Sequence, residues 1–211
     1  MPEKTSHYTS REVVEAYSSI LFNHLRDTMS LVKKNITYNT DTEYLFYISF
    51  GYATIMHKEK TFAFSKENEF IGLHNIFNHT KCPISLTICD SSKESIIYII
   101  KKDEALEIIE EKNLYKTVSY LLHDRLYSFC SYLDVMMKTE SYEKIKTALE
   151  YYEKNQLVIT KSTTLTKFLV DITGTSKSRV SYIMSELKKG EYINISENGK
   201  LTILRRLPNK F

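Results

Sequence analysis

Tryptophan is absent from the 211 residues, and glycine, proline and cysteine occur only five, three and three times. So little glycine and proline argues against a disordered or low-complexity chain. It also leaves too few glycines for phosphate-cradling loops. The cysteines, Cys82, Cys89 and Cys130, are odd in number and form no CxxC pair, so reduced thiols in a cytoplasmic protein are expected. Separated as they are, they cannot supply the four thiolates of an iron–sulfur cluster. His74, His79 and Cys82 are spaced to reach one metal, but lone histidines near strand ends are more often surface or packing residues, and no metal ligand is assigned. No apolar run approaches ~18 residues, and MPEKTSHYTSREVVEAY has no signal core, so no membrane partner is expected. A nucleophile elbow, a Walker loop, HExxH and a clustered acid pair are all missing. No catalytic residue and no cofactor are therefore assigned, and the chain does not read as an enzyme.

What is present is a core-forming composition, 42% apolar with 16 Tyr and 10 Phe. The net charge of +3 is unevenly spread. Residues 160–211 carry ten Lys or Arg against four Asp or Glu, a net +6, which leaves −3 on the remainder. A basic terminal module on a mildly acidic body fits a polyanionic partner.

Val13, Val14, Tyr17, Ile20, Leu21, His24, Leu25 and Met29 recur at helical spacing and predict a helix over 11–34. From about 36 to 101, ITYNT, EYLFYISF, YATIM, TFAFS, ISLTIC and SIIYIIK are short β-branched and aromatic runs divided by polar breaks, the pattern of an antiparallel roll. Asp103 reads as the N-cap of a short helix, EALEIIEEK. A long helix follows over 114–138. In it Leu122, Leu126, Phe129, Leu133 and Met136 fall at 4, 3, 4, 3 spacing, a heptad seam suited to a homodimer. Ser141 can cap the next helix. The fold expected is α+β, with a β-roll body over 1–112, a connecting helix over 113–138 and a C-terminal module over 139–211.

The last fifty residues are the most specific. Gly174 offers a turn, with Val170 four residues before it and Val180 and Ile183 six and nine after it. These offsets fit a helix-turn-helix, apart from Val170 where alanine is usual. At 100° per residue Val180, Ile183 and Leu187 share one side, while Ser178, Ser181, Tyr182, Ser185 and Lys189 point the other way, with Lys177 on the flank. That outward face suits a DNA major groove, with Lys177, Ser178, Ser181 and Tyr182 as base readers. Ser176, Arg179, Lys189, Lys200 and Arg205 are expected on phosphates. YINIS-ENG-KLTIL reads as a hairpin turning at Asn198-Gly199, which makes the module a winged helix. The competing use of such a module is protein contact, in an effector-sensing or adaptor protein.

A roll, a long helix and a winged helix in this order resemble the Crp/Fnr superfamily of bacterial transcription regulators. EYLFYISFGYATIM with its Gly51, NEFIGLHNIF and TSKSRVSYIMSELKKGEYI carry the resemblance. SYEKIKTALEYYEKN, SRVSYIMSELKKGEYI and ENGKLTILRRLPNKF are similar to the enterobacterial IprA-type members, which are linked to oxidative-stress resistance. The resemblance implies a cytoplasmic, dimeric regulator on a pseudo-palindromic double-stranded DNA site, with RNA polymerase as a further partner. Cyclic-nucleotide members use a Gly-Glu pair and then an Arg-Ser pair. Here Gly72 is followed by Leu73, the second stretch reads TKCPIS, and no arginine occurs between Arg26 and Arg125. A cyclic phosphate wants a charge-assisted, preferably bidentate donor, so cyclic-nucleotide binding is not expected. Cys82, next to Lys81 and Pro83, is the candidate redox thiol; Cys89 and Cys130 read as packing residues.

Overall fold

The computed structural model describes residues 10–32, 38–39, 43–57, 60–77, 87–90, 95–160 and 163–210. The chain forms two compact units, Met1–Ala53 with Ser65–Tyr127, and Thr54–Phe64 with Ser128–Phe211.

The first unit opens on helix α1, Ser10–Leu25. This is shorter than the predicted 11–34, because the chain turns at Arg26–Thr28 and Ser30–Leu31 becomes strand β1. β1 pairs antiparallel with a strand some seventy positions away in sequence, Ser30 facing Ile99 and Val32 N–H donating to the Ile97 carbonyl at 2.8 Å. These long-range ladder bonds, with Met29 entering the core, outcompete a continued helix. Along the chain the strands that follow are β2 (Tyr38–Asn39), β3 (Tyr44–Phe50), β4 (Tyr52–His57), β5 (Lys60–Lys66), β6 (Glu69–Ile71), β7 (Thr87–Asp90) and β8 (Ile96–Lys101), most of β4 and β5 falling in the Thr54–Phe64 segment of the second unit.

One antiparallel sheet takes the order β1-β8-β3-β6. Its central strand β3 is buried on both faces. Leu45 and Tyr47 join the core shared with Leu21, Leu25 and Ile109, and Phe46 and Ile48 are fully buried on the opposite side. Such two-sided burial is why EYLFYISF is a continuous apolar run rather than an alternating one.

Helix α2, Lys102–Glu111, starts directly from β8. Its N-cap is Lys101 without a side-chain cap bond, so Asp103 is not the cap; it lies in the first turn, where the helix dipole favours its charge. Helix α3, Tyr115–Met137, realises the long helix expected over 114–138. Its first turns bury Val118 and Leu121 in the body, with Leu122 packed against the same core. Further along, Leu126, Phe129, Leu133 and Met137 are exposed, and Cys130 is exposed beside them rather than packed. Among the described residues no helix is long and apolar enough to cross a membrane.

The second unit contains α4 (Ser141–Ile159), α5 (Leu165–Thr173), α6 (Lys177–Lys189), β9 (Ile193–Ile195) and β10 (Leu201–Ile203). Glu140, not Ser141, occupies the N-cap of α4, and its side chain makes no cap bond. The core joins Ile145, Leu149 and Tyr152 of α4 to Phe168 and Leu169 of α5 and to Val180, Ile183 and Leu187 of α6. Leu201 of β10 and Leu207 beyond it close that core from the other side.

Candidate nucleic-acid interface

Helix α5 begins at Thr164, whose Oγ1 accepts from Lys167 N–H at 3.3 Å, and ends at Gly174. Gly174 takes φ +64°, ψ +11°, and its N–H returns to the Val170 carbonyl at 3.1 Å. A Cβ there would meet nothing within 4 Å, so the turn needs glycine for its left-handed backbone and not for space. Thr173 Oγ1 donates to the Leu169 carbonyl at 2.6 Å and accepts from Thr175 N–H at 3.2 Å, tying the turn to the helix it leaves.

Two residues on, Ser176 caps α6. Its Oγ accepts from Arg179 N–H at 3.4 Å and lies 3.2 Å from Ser178 Oγ. This cap fixes where the helix starts, and thereby which residues face outward. Val180, Ile183, Met184 and Leu187 are buried, while Lys177, Ser178, Arg179, Ser181, Tyr182, Ser185 and Lys189 are exposed. Burying Ile183 and Leu187 is worth about 1.5–3 kcal/mol each relative to exposure, which fixes the rotation of the helix. The guanidinium carbon of Arg179 lies 5.6 Å from the centroid of the Tyr182 ring. No acid occurs in the first turn; the first on the helix is Glu186, which pairs with Lys189 at 2.7 Å. That hydrogen bond, with the charge of Glu186, raises the Lys189 ammonium above its ordinary range.

The wing follows at once. Ile193–Ile195 and Leu201–Ile203 pair antiparallel in register. The connection is longer than a two-residue Asn-Gly turn. Gly199 N–H donates to the Ser196 carbonyl at 2.9 Å, Ser196 N–H donates to Lys200 O at 3.0 Å, and Gly199 takes φ +75°. This is a three-residue loop with a glycine bulge. Ser196 Oγ also accepts from Lys200 N–H at 3.1 Å, which holds the backbone under the exposed Lys200 side chain.

Arg205, expected on a phosphate, is used within the unit. It donates to the Gly190 carbonyl at the end of α6 and lies 4.1 Å over the Tyr192 ring. Arg206, next to it, is exposed. Cys82, Lys81 and His79 lie outside the described residues. Met136 falls within α3, but its side chain is likewise outside them.

What sequence reasoning missed is how α4 braces the wing. Glu153 Oε1 accepts from Ile203 N–H at 2.6 Å, and Gln156 Oε1 accepts from Leu201 N–H at 3.0 Å. Both N–H groups point away from β9, so α4 satisfies the open edge of a two-stranded sheet. Lys146 Nζ donates to the Leu207 and Pro208 carbonyls at 3.2 and 3.0 Å, and Tyr142 OH donates to Pro208 O at 2.8 Å. A signal did exist: Tyr142, Lys146, Leu149, Glu153 and Gln156 recur at 4, 3, 4, 3 spacing, so polar groups share one stripe with buried apolar ones.

Residues 141–209 match the family model described as winged helix-turn-helix DNA binding. No curated protein matches the sequence. Three solved structures share the fold at low identity. The c-di-GMP-responsive global regulator CLP of Xanthomonas campestris has a TM-score of 0.63 at 12% identity, over 90% of this chain and 100% of that one. A putative Crp/Fnr-family transcriptional regulator from Eubacterium rectale gives 0.63 at 15%, over 89% and 90%. FixK2 of Bradyrhizobium japonicum gives 0.62 at 10%, over 84% and 93%. The chain therefore has the fold of the Crp/Fnr transcription regulators, with a winged helix-turn-helix at its C-terminus.

Proposed function

We propose that the protein is a sequence-specific DNA-binding transcription regulator that binds a pseudo-palindromic site as a homodimer and works without a cyclic nucleotide. The observation that carries this reading is the exposed face of α6. It bears hydroxyls and cations in its first two turns, has no acid there, and is braced from behind by Val180, Ile183 and Leu187. A recognition helix contacts base edges with its N-terminal residues, and a positive helix end suits phosphate. Lys177, Ser178, Ser181 and Tyr182 face the bases, while Lys200 on the wing takes a phosphate. Ser176 contributes by setting the start of the helix. Lys189 and Arg205 already have partners in Glu186 and Gly190 and act at the margin of the interface.

The dimer would form along α3, whose exposed Leu126, Phe129 and Leu133 have the heptad spacing of a helix seam, with Leu122 and Met136 at its ends. Paired winged helices would reach successive major grooves about 34 Å apart. The dimer on DNA offers a surface to RNA polymerase as well. Leu73 is buried in the core of the first unit where nucleotide-binding relatives would need a ribose-facing glutamate, which supports independence from cyclic nucleotide. The stretches SYEKIKTALEYYEKN and ENGKLTILRRLPNKF support kinship with the IprA-type regulators, and Cys82 is the thiol through which oxidation would act.

The test is selection of bound fragments from genomic DNA by the purified full-length protein, with and without peroxide. A recovered two-fold motif with half-sites about one helical turn apart is expected. Recovery of no enriched sequence under either condition would contradict the reading.

A further inference from the structure

We propose that Arg179 and Tyr182 form one reading unit, in which the Arg179 guanidinium, held on the Tyr182 ring, donates two hydrogen bonds to a guanine while the tyrosine packs against the methyl group of an adjacent thymine. This rests on the DNA-binding reading above and assigns part of the sequence that the interface selects. It also moves Arg179 from the phosphate backbone, where its flanking position on α6 first puts it, to the base edges.

Arg179 is the third residue of α6, within the turn that enters the groove, and its backbone N–H is held by the Ser176 cap at 3.4 Å. On the helix surface it lies to one side of the outward stripe of Ser178, Tyr182, Ser185 and Lys189. Tyr182, three residues on, sits between Arg179 and the middle of that stripe. Contact with the ring at 5.6 Å therefore draws the guanidinium toward the groove-facing side. The tyrosine is 53% exposed, so the pair is presented to solvent and not sunk in the unit's core.

The position beside a groove-facing ring favours a base over a phosphate. Among the described residues no carboxylate forms an ion pair with Arg179, whereas Lys189 on the same helix pairs with Glu186. A phosphate accepts either a point charge, which lysine supplies, or a bidentate fork, so the side of the helix to which the ring draws the guanidinium decides between the two. The guanidinium lies within cation–π range of the ring, 5.6 Å from its centroid, and a fork attracted there has less rotamer freedom to lose, which benefits a contact that needs two parallel donors. Guanine O6 and N7 are such a pair of acceptors, and the bidentate contact from arginine is the commonest specific one in the major groove. The thymine methyl projects into the same groove beside the neighbouring base, where an aromatic edge can pack on it.

The experiment compares the full-length protein with Arg179→Lys, Arg179→Ala and Tyr182→Leu variants on two duplexes, the selected site and mixed-sequence DNA. Circular dichroism first checks that each variant is folded, as expected for exposed positions. Arg179→Lys keeps the charge and loses the fork. It is expected to weaken binding to the selected site about 5- to 140-fold, to weaken binding to mixed-sequence DNA far less, and to relax selection at one guanine in each half-site. Replacing that guanine by 7-deazaguanine, or the adjacent thymine by deoxyuridine, is expected to lower wild-type affinity, and the deazaguanine effect should vanish in Arg179→Ala. Tyr182→Leu should relax the same guanine without touching it.

Retained guanine selection in Arg179→Ala, which leaves no donor at that position, would overturn the proposal. So would an equal loss for Arg179→Ala on both duplexes with the salt slope reduced by about 0.9, since that is the mark of a phosphate contact. Either result leaves the DNA-binding reading in place. A wild-type protein that selects no sequence at all sinks that reading and this inference with it.

Discussion

Removing the carboxylate of Glu153 should loosen the wing without disturbing the recognition helix. Its Oε1 accepts the Ile203 N–H at 2.6 Å, on the edge of a hairpin that has only one other strand. A two-stranded sheet is marginal by itself, so its outer N–H groups depend on α4. A hydrogen bond to a charged group contributes about 1.5–3 kcal/mol. Glu153 and Ile203 are both half-buried, so water can partly replace the lost acceptor, and about 1–2 kcal/mol is the expected cost of Glu153→Ala. Read locally, that is a 5- to 30-fold faster hydrogen exchange at the Ile203 amide. Leu201, held separately by Gln156, should change less. Glu153→Gln keeps an acceptor but loses its charge, and charge-assisted bonds are roughly twice as strong as neutral ones, so about half the effect should remain. Exchange measured amide by amide in the full-length protein decides the matter. An Ile203 amide as protected in Glu153→Ala as in the wild type would refute the reasoning. So would acceleration spread evenly over α5 and α6, because the wing would then not be the part that α4 restrains.

Tyr142 is buried and donates to Pro208 O; burial first, then the nearby Tyr192 and Glu150, pushes its phenol from 10.0 up to about 12. A raised acid pKa means that the folded state holds the proton more tightly, so this stabilisation is complete below pH 10 and is lost as pH rises from 10 through 12. The difference in melting temperature between wild type and Tyr142→Phe should therefore shrink across that window, and a constant difference would count against the assignment. Leu126→Asp with Leu133→Asp places charges on the exposed stripe of α3. Sedimentation should then show a monomer at micromolar concentration, with binding to the selected site falling by about tenfold or more; a persistent dimer would exclude this seam.

The parts legible in the sequence are those governed by local periodicity. Val180, Ile183 and Leu187 repeat at helical spacing, so the face opposite them follows from that spacing alone; Ser176 was expected only on a phosphate, and the structure shows it as the N-cap of α6. Asn198-Gly199 marked the hairpin, yet the loop geometry depended on Ser196 bonding through both its backbone and its hydroxyl. The end of α1 was hidden because β1 exists only by pairing with β8, far along the chain. Asp103 and Ser141 have the chemistry of caps but lie inside the first turn, because Lys101 and Glu140 ahead of them already hold the extended backbone of the N-cap. Heptad spacing placed Leu122 in the α3 seam but did not show that it also packs, half-buried, against the core of the first unit. Arg205 is the corresponding case in the interface: a cation after a wing reads as a phosphate ligand, and nothing local announced that this exposed side chain also contacts the Gly190 carbonyl and the Tyr192 ring.

The most direct measurement is the ratio of affinities for selected and mixed-sequence duplex DNA, taken with the full-length protein over a range of salt concentrations. A DNA-reading α6 requires a ratio of at least about 10³ near physiological salt, with log affinity falling linearly in log salt on both duplexes. Equal affinity for the two duplexes, or binding indifferent to salt, would contradict it.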